Sequence, residues 1–416
     1  MGKTIYILGA GFSMAAGLPP QTAILSKVFE SGFGGPDETE ALLKTESEFS
    51  IARLRIARFL IKLFSGVTEQ TIIPGLPFFD DESFPPSITV RLYEYINANL
   101  YNVTLEDIFT IIDKAIVTGE SVHCYNTHDL YKLRESLFLC ILRVFTVETL
   151  RHAFNSESYK KYSHHLLNLK QTEPDPVAII SLNWDSILDT YLYNEITQGG
   201  FQAGIDYCIY DYDYVCCLNS QEWCPSTHLK QKGLLNIKLL KIHGGLNWII
   251  CSNCHRLFYS YKENIGLEQF FKDFAVCPYC SNCYGDLGGN KASIKLQCNL
   301  GTPTMLKNLD DVNLRNIWKN AFVELTEAEK VVFIGYSFPQ ADYEFRCLLK
   351  RALNPRAQIE VVLAPGDNPI VYGIIANEEI RNKIIDLLPS RRFDSFFGKD
   401  KIKYYYGGFE SYVDML

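Results

Sequence analysis

The sequence predicts an α/β protein: an open parallel sheet, interrupted by a helical insertion and joined to a small cysteine ribbon. Three observations carry that expectation. Short apolar, β-branched runs recur along the chain, the long stretch between the first two is helical in pattern, and two C-x-x-C pairs lie close together.

The strand-like runs are 4–8 (TIYIL), 177–182 (VAIISL), 237–242 (IKLLKI), 331–334 (VVFI) and 359–363 (IEVVL). Each is apolar throughout rather than alternating, as strands covered on both faces of a parallel sheet are. KIKYYYG at 401–407 is a candidate edge strand. Between the first and second runs, Gly- and Pro-bearing loops (SGFGGPDETE, IIPGLPFFDDESFPPS) separate helical patterns such as SIARLRIARFLIKLF and TLEDIFTIIDKAI. Thr104 is placed to cap the latter, with Asp107 at the third helical position. Arg55, Arg58 and Lys62 share one helical stripe, read as a solvated face or as a partner-binding face. The expected division is a sheet-bearing core of 1–31, 171–250 and 290–416, a mainly helical insertion of 32–170, and a ribbon of 251–289.

Composition narrows the function classes. The 416 residues are 47% hydrophobic and 21% charged, as in ordinary globular proteins. A net charge of −8 argues against direct nucleic-acid binding through a generally basic surface. No apolar run approaches the ~20 residues of a membrane span. The opening MGKTIYILGAG enters a strand-like run at once, so no signal peptide is expected and a cytoplasmic location is. In that compartment 13 cysteines, four of them paired as C-x-x-C, favour metal binding over disulfides.

Each strand-like run is followed by a small or polar cluster: GAGFSMAAGLPP, NWD, His243–Gly244, GYSFPQAD and APGDN. In an open parallel sheet, ligands bind beyond the carboxyl ends of the strands, so these clusters are expected to converge on one crevice. GAGFSMAAG departs from the dinucleotide fingerprint: Gly9 and Gly11 are spaced correctly, but Met14 stands where the third glycine belongs and Gly17 comes late. It reads as a phosphate cradle, or as a tight strand-to-helix turn without a ligand. Asn183 and Asp185, two apart at a strand end, can share one ligand, or cap the next helix.

Cys251, Cys254, Cys277 and Cys280 supply four thiolates, enough for a closed, structural Zn²⁺ site, with Cys283 as an alternative ligand. Cys208, Cys216, Cys217 and Cys224 are irregularly spaced and read as free thiols. His123, His164 and His165 lack carboxylates nearby in sequence and read as structural or surface histidines.

Taken in order, GAGFSMAAGLP, NWD, KIHG, the paired C-x-x-C and GYS resemble the sirtuin superfamily. The flanking IGYSFPQADYEF and GTPTMLK look more like the bacterial sirtuin-like NAD hydrolases of antiphage defence than like protein deacylases. The resemblance implies a Rossmann-like, sirtuin-type core that takes NAD+ as substrate and a structural zinc. It implies that Gly9, Ala10, Gly11, Ser13 and Gly17 serve the pyrophosphate loop and that Gly335 and Ser337 close the phosphate and adenosine side. Asn183 and Asp185 would lie by the nicotinamide ribose, with His243 as catalytic base. The first motif continues PPQTA instead of the deacylases' Pro-Asp-Phe-Arg, and QCNLGTPTMLK lacks their peptide-pairing segment. The expected activity is therefore NAD+ hydrolysis, with protein deacylation or ligand sensing without turnover as alternatives. Relatives of this architecture are often paired with a HerA-type ATPase, so a homo-oligomer or such a partner is expected to gate the enzyme.

Overall fold

The computed structural model describes residues 2–30, 46–73, 86–151, 156–172, 175–201, 203–209, 212–215, 223–225, 236–259, 277, 279–280, 296–301 and 311–416. The chain forms two compact units: Met1–Leu18 with His152–Gly301 and Lys307–Leu416, and Pro19–Arg151 with Thr302–Leu306.

The first unit is built on a Rossmann-like sheet of seven parallel strands. In chain order its members are β1 (Thr4–Leu8), β2 (Val177–Ser181), β3 (Ile205–Asp206), β6 (Ile237–Lys241), β10 (Lys330–Ile334), β11 (Gln358–Val362) and β12 (Ile402–Tyr405). Their spatial order is β12-β11-β10-β1-β2-β6-β3. Every neighbouring pair is parallel. The apolar runs form strands because their side chains are covered on both faces: Ile5, Ile7, Val177, Ile179, Val331 and Phe333 are all fully buried. From β1 the chain steps to β2 and β6 on one side and later returns to β10 on the other. The order thus reverses between β1 and β10, the place where such sheets open a crevice.

At the opposite, amino-terminal edge, lysines and carboxylates lock the strand starts together. Lys3 bonds Asp175 at 2.7 Å and Glu327 at 2.6 Å, and Lys238 bonds Glu324 at 2.6 Å. Asp175, Glu324 and Glu327 are close enough to hold a cation, but these ammonium groups already stand among them.

A second sheet follows the order β5-β4-β8-β7-β9. Its strands are β4 (Tyr212–Val215), β5 (Trp223–Pro225), β7 (Gly244–Cys251), β8 (Leu257–Tyr259) and β9 (Leu296–Leu300). β7 pairs antiparallel with β8 and β9, and all eight of its residues are buried.

The second unit is helical. Its main helices are Glu46–Leu60, Pro86–Asn99, Leu105–Thr118 and Thr127–Arg151, packed with Thr127–Arg151 at the centre. Thr104 and Asp107 form a reciprocal capping box, and Gly119 ends that helix in the left-handed conformation. Among the described residues, no helix is long and apolar enough to cross a membrane.

Candidate active site

The site is assembled from the loops that leave β1, β2, β6 and β10. Gly9 N donates to Ile334 O at 3.0 Å, and Gly11 N donates to Gly335 O at 2.7 Å, so the two loops at the switch point lie backbone against backbone. A Cβ on Gly11 would stand 2.7 Å from Gly335 Cα; one on Gly335 would stand 2.2 Å from Phe12 N, at a φ of +62°. The glycines are therefore demanded by loop-on-loop packing, whatever ligand binds there. Ala10 is exposed and Gly11 half-buried at the loop's outer side. From beneath, the Tyr159 hydroxyl donates to Phe12 O, and its ring meets Phe12 edge-on.

Asn183 and Asp185 do converge on one group, but that group is Ser13. Asn183 Nδ2 donates to Gly9 O and to Ser13 Oγ, both at 2.9 Å. Ser13 Oγ in turn donates to Asp185 Oδ2 at 2.6 Å, and Asp185 Oδ1 accepts from Ile187 N at 3.1 Å. Asp185 thus ties the first loop to the start of helix Ile187–Gln198. Burial pushes its carboxyl pKa upward, opposed by the Ser13 bond and the nearby Lys241 charge. Ser13 is itself buried, and its hydroxyl lies within this network. Asn183 is half-buried, and its Oδ1 takes no part in these bonds.

A charged group that the sequence reading missed lies underneath. Lys241 Nζ, fully buried, donates to Asp185 O at 2.7 Å and Asn247 Oδ1 at 3.1 Å, and pairs with Asp189 at 3.3 Å. Asp189 also accepts from Tyr207 OH at 2.5 Å and Asn247 Nδ2 at 3.2 Å. A buried ion pair is tolerated only when its remaining polar atoms are satisfied, and here the neighbours do so. The available signal was the lysine next to the end of the apolar run IKLLKI, where a buried strand would carry an apolar residue.

His243 follows β6. Its backbone is fixed on both sides: Trp318 Nε1 donates to Ile242 O at 2.9 Å, and Gly301 N donates to His243 O at 2.9 Å. Its Nδ1 lies 3.0 Å from Leu182 O. A carbonyl can only accept, so Nδ1 is the nitrogen that donates in this contact, which turns the Nε2 side of the ring away from Leu182. Leu182 directly precedes Asn183, so one short turn positions both side chains.

The other expected contacts are dispersed. Gly17 turns the chain after helix Ala10–Met14 with a φ of +86°, and Gly17 N donates to Met14 O. Ser337 is exposed, one residue before Phe338, whose φ is +55°. Asp367 in the cluster after β11 bonds Ala364 N locally at 3.3 Å. His164 is an exposed histidine, as expected, and its Nδ1 lies 3.5 Å from Glu195 Oε2. The pairing joins two successive helices, on either side of β2, and is not a matter of local spacing.

The cysteine ribbon lies at the far end of β7 from His243. The sulfurs of Cys251, Cys254, Cys277 and Cys280 all lie within 4.8 Å of one another. Cys251–Cys280 and Cys254–Cys277 are 3.8 and 3.7 Å apart. Those separations are too long for a disulfide and match the ~3.8 Å edge of a tetrahedron with Zn–S bonds of about 2.3 Å. Asn253 N and Cys254 N point to Cys251 Sγ at 3.4 and 3.5 Å, as expected of donors to a metal-bound thiolate. The four residues fit one tetrahedral ion, and His243 is not among them. Cys216, Cys217 and Cys283 lie outside the described residues.

No family model and no curated protein matches the chain. Solved structures similar to it include Sir2 proteins. One is a Sir2 protein in complex with an inhibitor, 2′-O-acetyl-ADP-ribose and a deacetylated p53 peptide, at 10% identity, covering 99% of this chain and 91% of that one, with a TM-score of 0.34. A structure addressing the mechanism and regulation of Sir2 enzymes has 12% identity, 87% and 80% coverage, and a TM-score of 0.32. A Sir2 complex with p53 peptide and NAD+ has 10% identity, 86% and 80% coverage, and a TM-score of 0.29.

Proposed function

We propose that the chain is an NAD+ glycohydrolase that cleaves the nicotinamide–ribose bond to give nicotinamide and ADP-ribose. The observation that supports this reading is the placement of His243, whose Nδ1 is held 3.0 Å from Leu182 O, the residue before Asn183, at the carboxyl edge that also bears the glycine loops. A neutral imidazole with its lone pair on Nε2 is suited to accept a proton from a ribose hydroxyl or from water.

The reaction asks little of an acid. The C–N bond breaks with its electron pair going to the pyridinium nitrogen, so nicotinamide leaves neutral while cationic character builds on the anomeric carbon. Water adds to that carbon and loses one proton, which His243 Nε2 takes. Asn183 Oδ1 is the group offered to orient the water or a ribose hydroxyl. Ala10, exposed at the outer side of the loop, is offered to the pyrophosphate, while Gly11 packs the loop against Gly335, to whose carbonyl its N–H is given. Asp185 serves here chiefly as a positioning residue, because both its oxygens are engaged within the protein. The four cysteines hold a structural zinc that folds the ribbon, and no step of the chemistry passes through it.

A free-running NAD+ hydrolase would drain its own cell. The activity is therefore read as gated by homo-oligomerisation or by a HerA-type ATPase partner, and as serving defence by NAD+ depletion. The test is incubation of the purified chain with NAD+, alone and with candidate partners, resolving nicotinamide, ADP-ribose and cyclic products. Release of nicotinamide from NAD+ and water supports the reading; release only with an acylated peptide would replace it by deacylation.

A further inference from the structure

Within the helical unit, a pocket of about 320 Å³ is lined by Arg55, Arg58, Lys62 and Lys132. Among the described residues of its lining Asp129 is the one carboxylate, and its Oδ2 accepts from Asn126 N at the helix start at 3.1 Å. Ile51, Leu54 and Tyr125 give the same pocket an apolar and aromatic wall. The volume lies at the lower end of small-molecule sites.

The cations are held in place. Arg55 Nη1 donates to Ser136 Oγ at 2.8 Å, and Arg58 Nε bonds the buried Glu69 at 3.0 Å, bonds that orient both guanidinium groups. Lys62 is carried by a π-helical turn, Ile61–Ser65, that directly continues helix Glu46–Leu60; such turns recur at functional sites. Opposite, Val122 and Tyr125 exchange two backbone hydrogen bonds, closing a turn with His123 at a φ of +52° and Cys124 exposed at its tip. Lys62 Nζ lies 3.9 Å from Cys124 Sγ and 5.6 Å from the centre of the Tyr125 ring. The stripe Arg55–Arg58–Lys62 is thus one wall of a cavity rather than a featureless solvated face.

We propose that this pocket binds a small phosphate-bearing molecule with an aromatic end, of the mononucleotide class. Guanidinium groups match phosphate oxygens in paired hydrogen bonds, lysines add point charge, and the Tyr125 wall takes the ring. Nothing in the proposed NAD+ chemistry uses these residues.

Cys124 at the rim provides a local readout that ligand at any other site does not move. The full chain is alkylated with a thiol reagent, and modification of the Cys124 peptide is followed by mass spectrometry with AMP, inorganic phosphate or sodium chloride at equal ionic strength. AMP is expected to slow alkylation about tenfold once it stands about ten times above its Kd, at lower concentration than phosphate does. The double variant Lys62→Gln, Lys132→Gln, normalised to its own ligand-free rate, is expected to need about tenfold more AMP or beyond. Both side chains are exposed, and circular dichroism checks that the variant folds. An unchanged rate with AMP, protection equalled by sodium chloride, or protection undiminished in the double variant would overturn the site. Equal potency of phosphate and AMP would overturn its nucleotide assignment.

Discussion

Ser13 and Asp185, 172 positions apart in the chain, share a buried hydrogen bond of 2.6 Å that fastens the glycine loop of β1 to the turn after β2. Because Asn183 donates to the same hydroxyl, losing Ser13 leaves two partners short of a bond, the buried Asp185 and the half-buried Asn183. Ser13→Ala is expected to lower unfolding stability by about 1–3 kcal/mol, measured by denaturant titration. It should also reduce NAD+ turnover, since it removes one of the two bonds that hold Asn183.

The two-loop contact makes Gly335 intolerant of any side chain. Gly335→Ala places a Cβ 2.2 Å from Phe12 N and forces a non-glycine residue to a φ of +62°. The conformation alone costs about 1–2 kcal/mol, and the clash adds to it. Gly366→Ala is the control: nothing lies within 4 Å of its added Cβ, and its thermal midpoint should match wild type within error.

Acid should loosen the sheet at the edge away from the site. Burial alone would raise the Asp175 pKa, but bonds from Lys3 and Lys238 more than reverse this and bring it down to about 2 from 3.8. A depressed carboxylate stabilises the fold above the unfolded-state value and loses that contribution as pH falls through the folded one. The Asp175 contribution is therefore complete above about pH 4 and lost towards pH 2. Unfolding midpoints between pH 5 and 2 should fall less steeply in Lys3→Met than in wild type.

Metal and chemistry should separate by mutation. Cys251→Ala is expected to lose the bound zinc, measured by elemental analysis, and to loosen the cluster formed by Ile249, Phe258 and Leu296 with the cysteines. His243→Ala should keep the zinc at wild-type stoichiometry, because the ring is not part of the sulfur cluster.

The sheet was largely legible because its signal is local. TIYIL and VVFI carry enough uninterrupted apolar surface to announce strands buried on both faces, and KIKYYYG does lie at the edge, as β12. β3 escaped because two residues carry no pattern, and β7 because GGLNWIIC begins with glycines and ends in a metal knuckle. In the candidate site, the spacing of Asn183 and Asp185 pointed to a shared ligand, and the group they share in the fold is a side chain of the protein itself. Its identity, Ser13, depends on which loops the sheet order brings together. The Lys241–Asp189–Asn247 group is likewise a tertiary fact: each member is ordinary in its own segment, and only burial makes the set a unit.

The central claim is that His243 takes the proton in NAD+ hydrolysis. The most direct measurement is nicotinamide release from NAD+ by wild type and His243→Ala, assayed side by side in the assembly state or with the partner that supports turnover. A loss on the order of 10²–10⁴-fold is expected in the variant, with zinc content and unfolding midpoint preserved. Nicotinamide release at the wild-type rate from a folded, zinc-bound His243→Ala protein would contradict it.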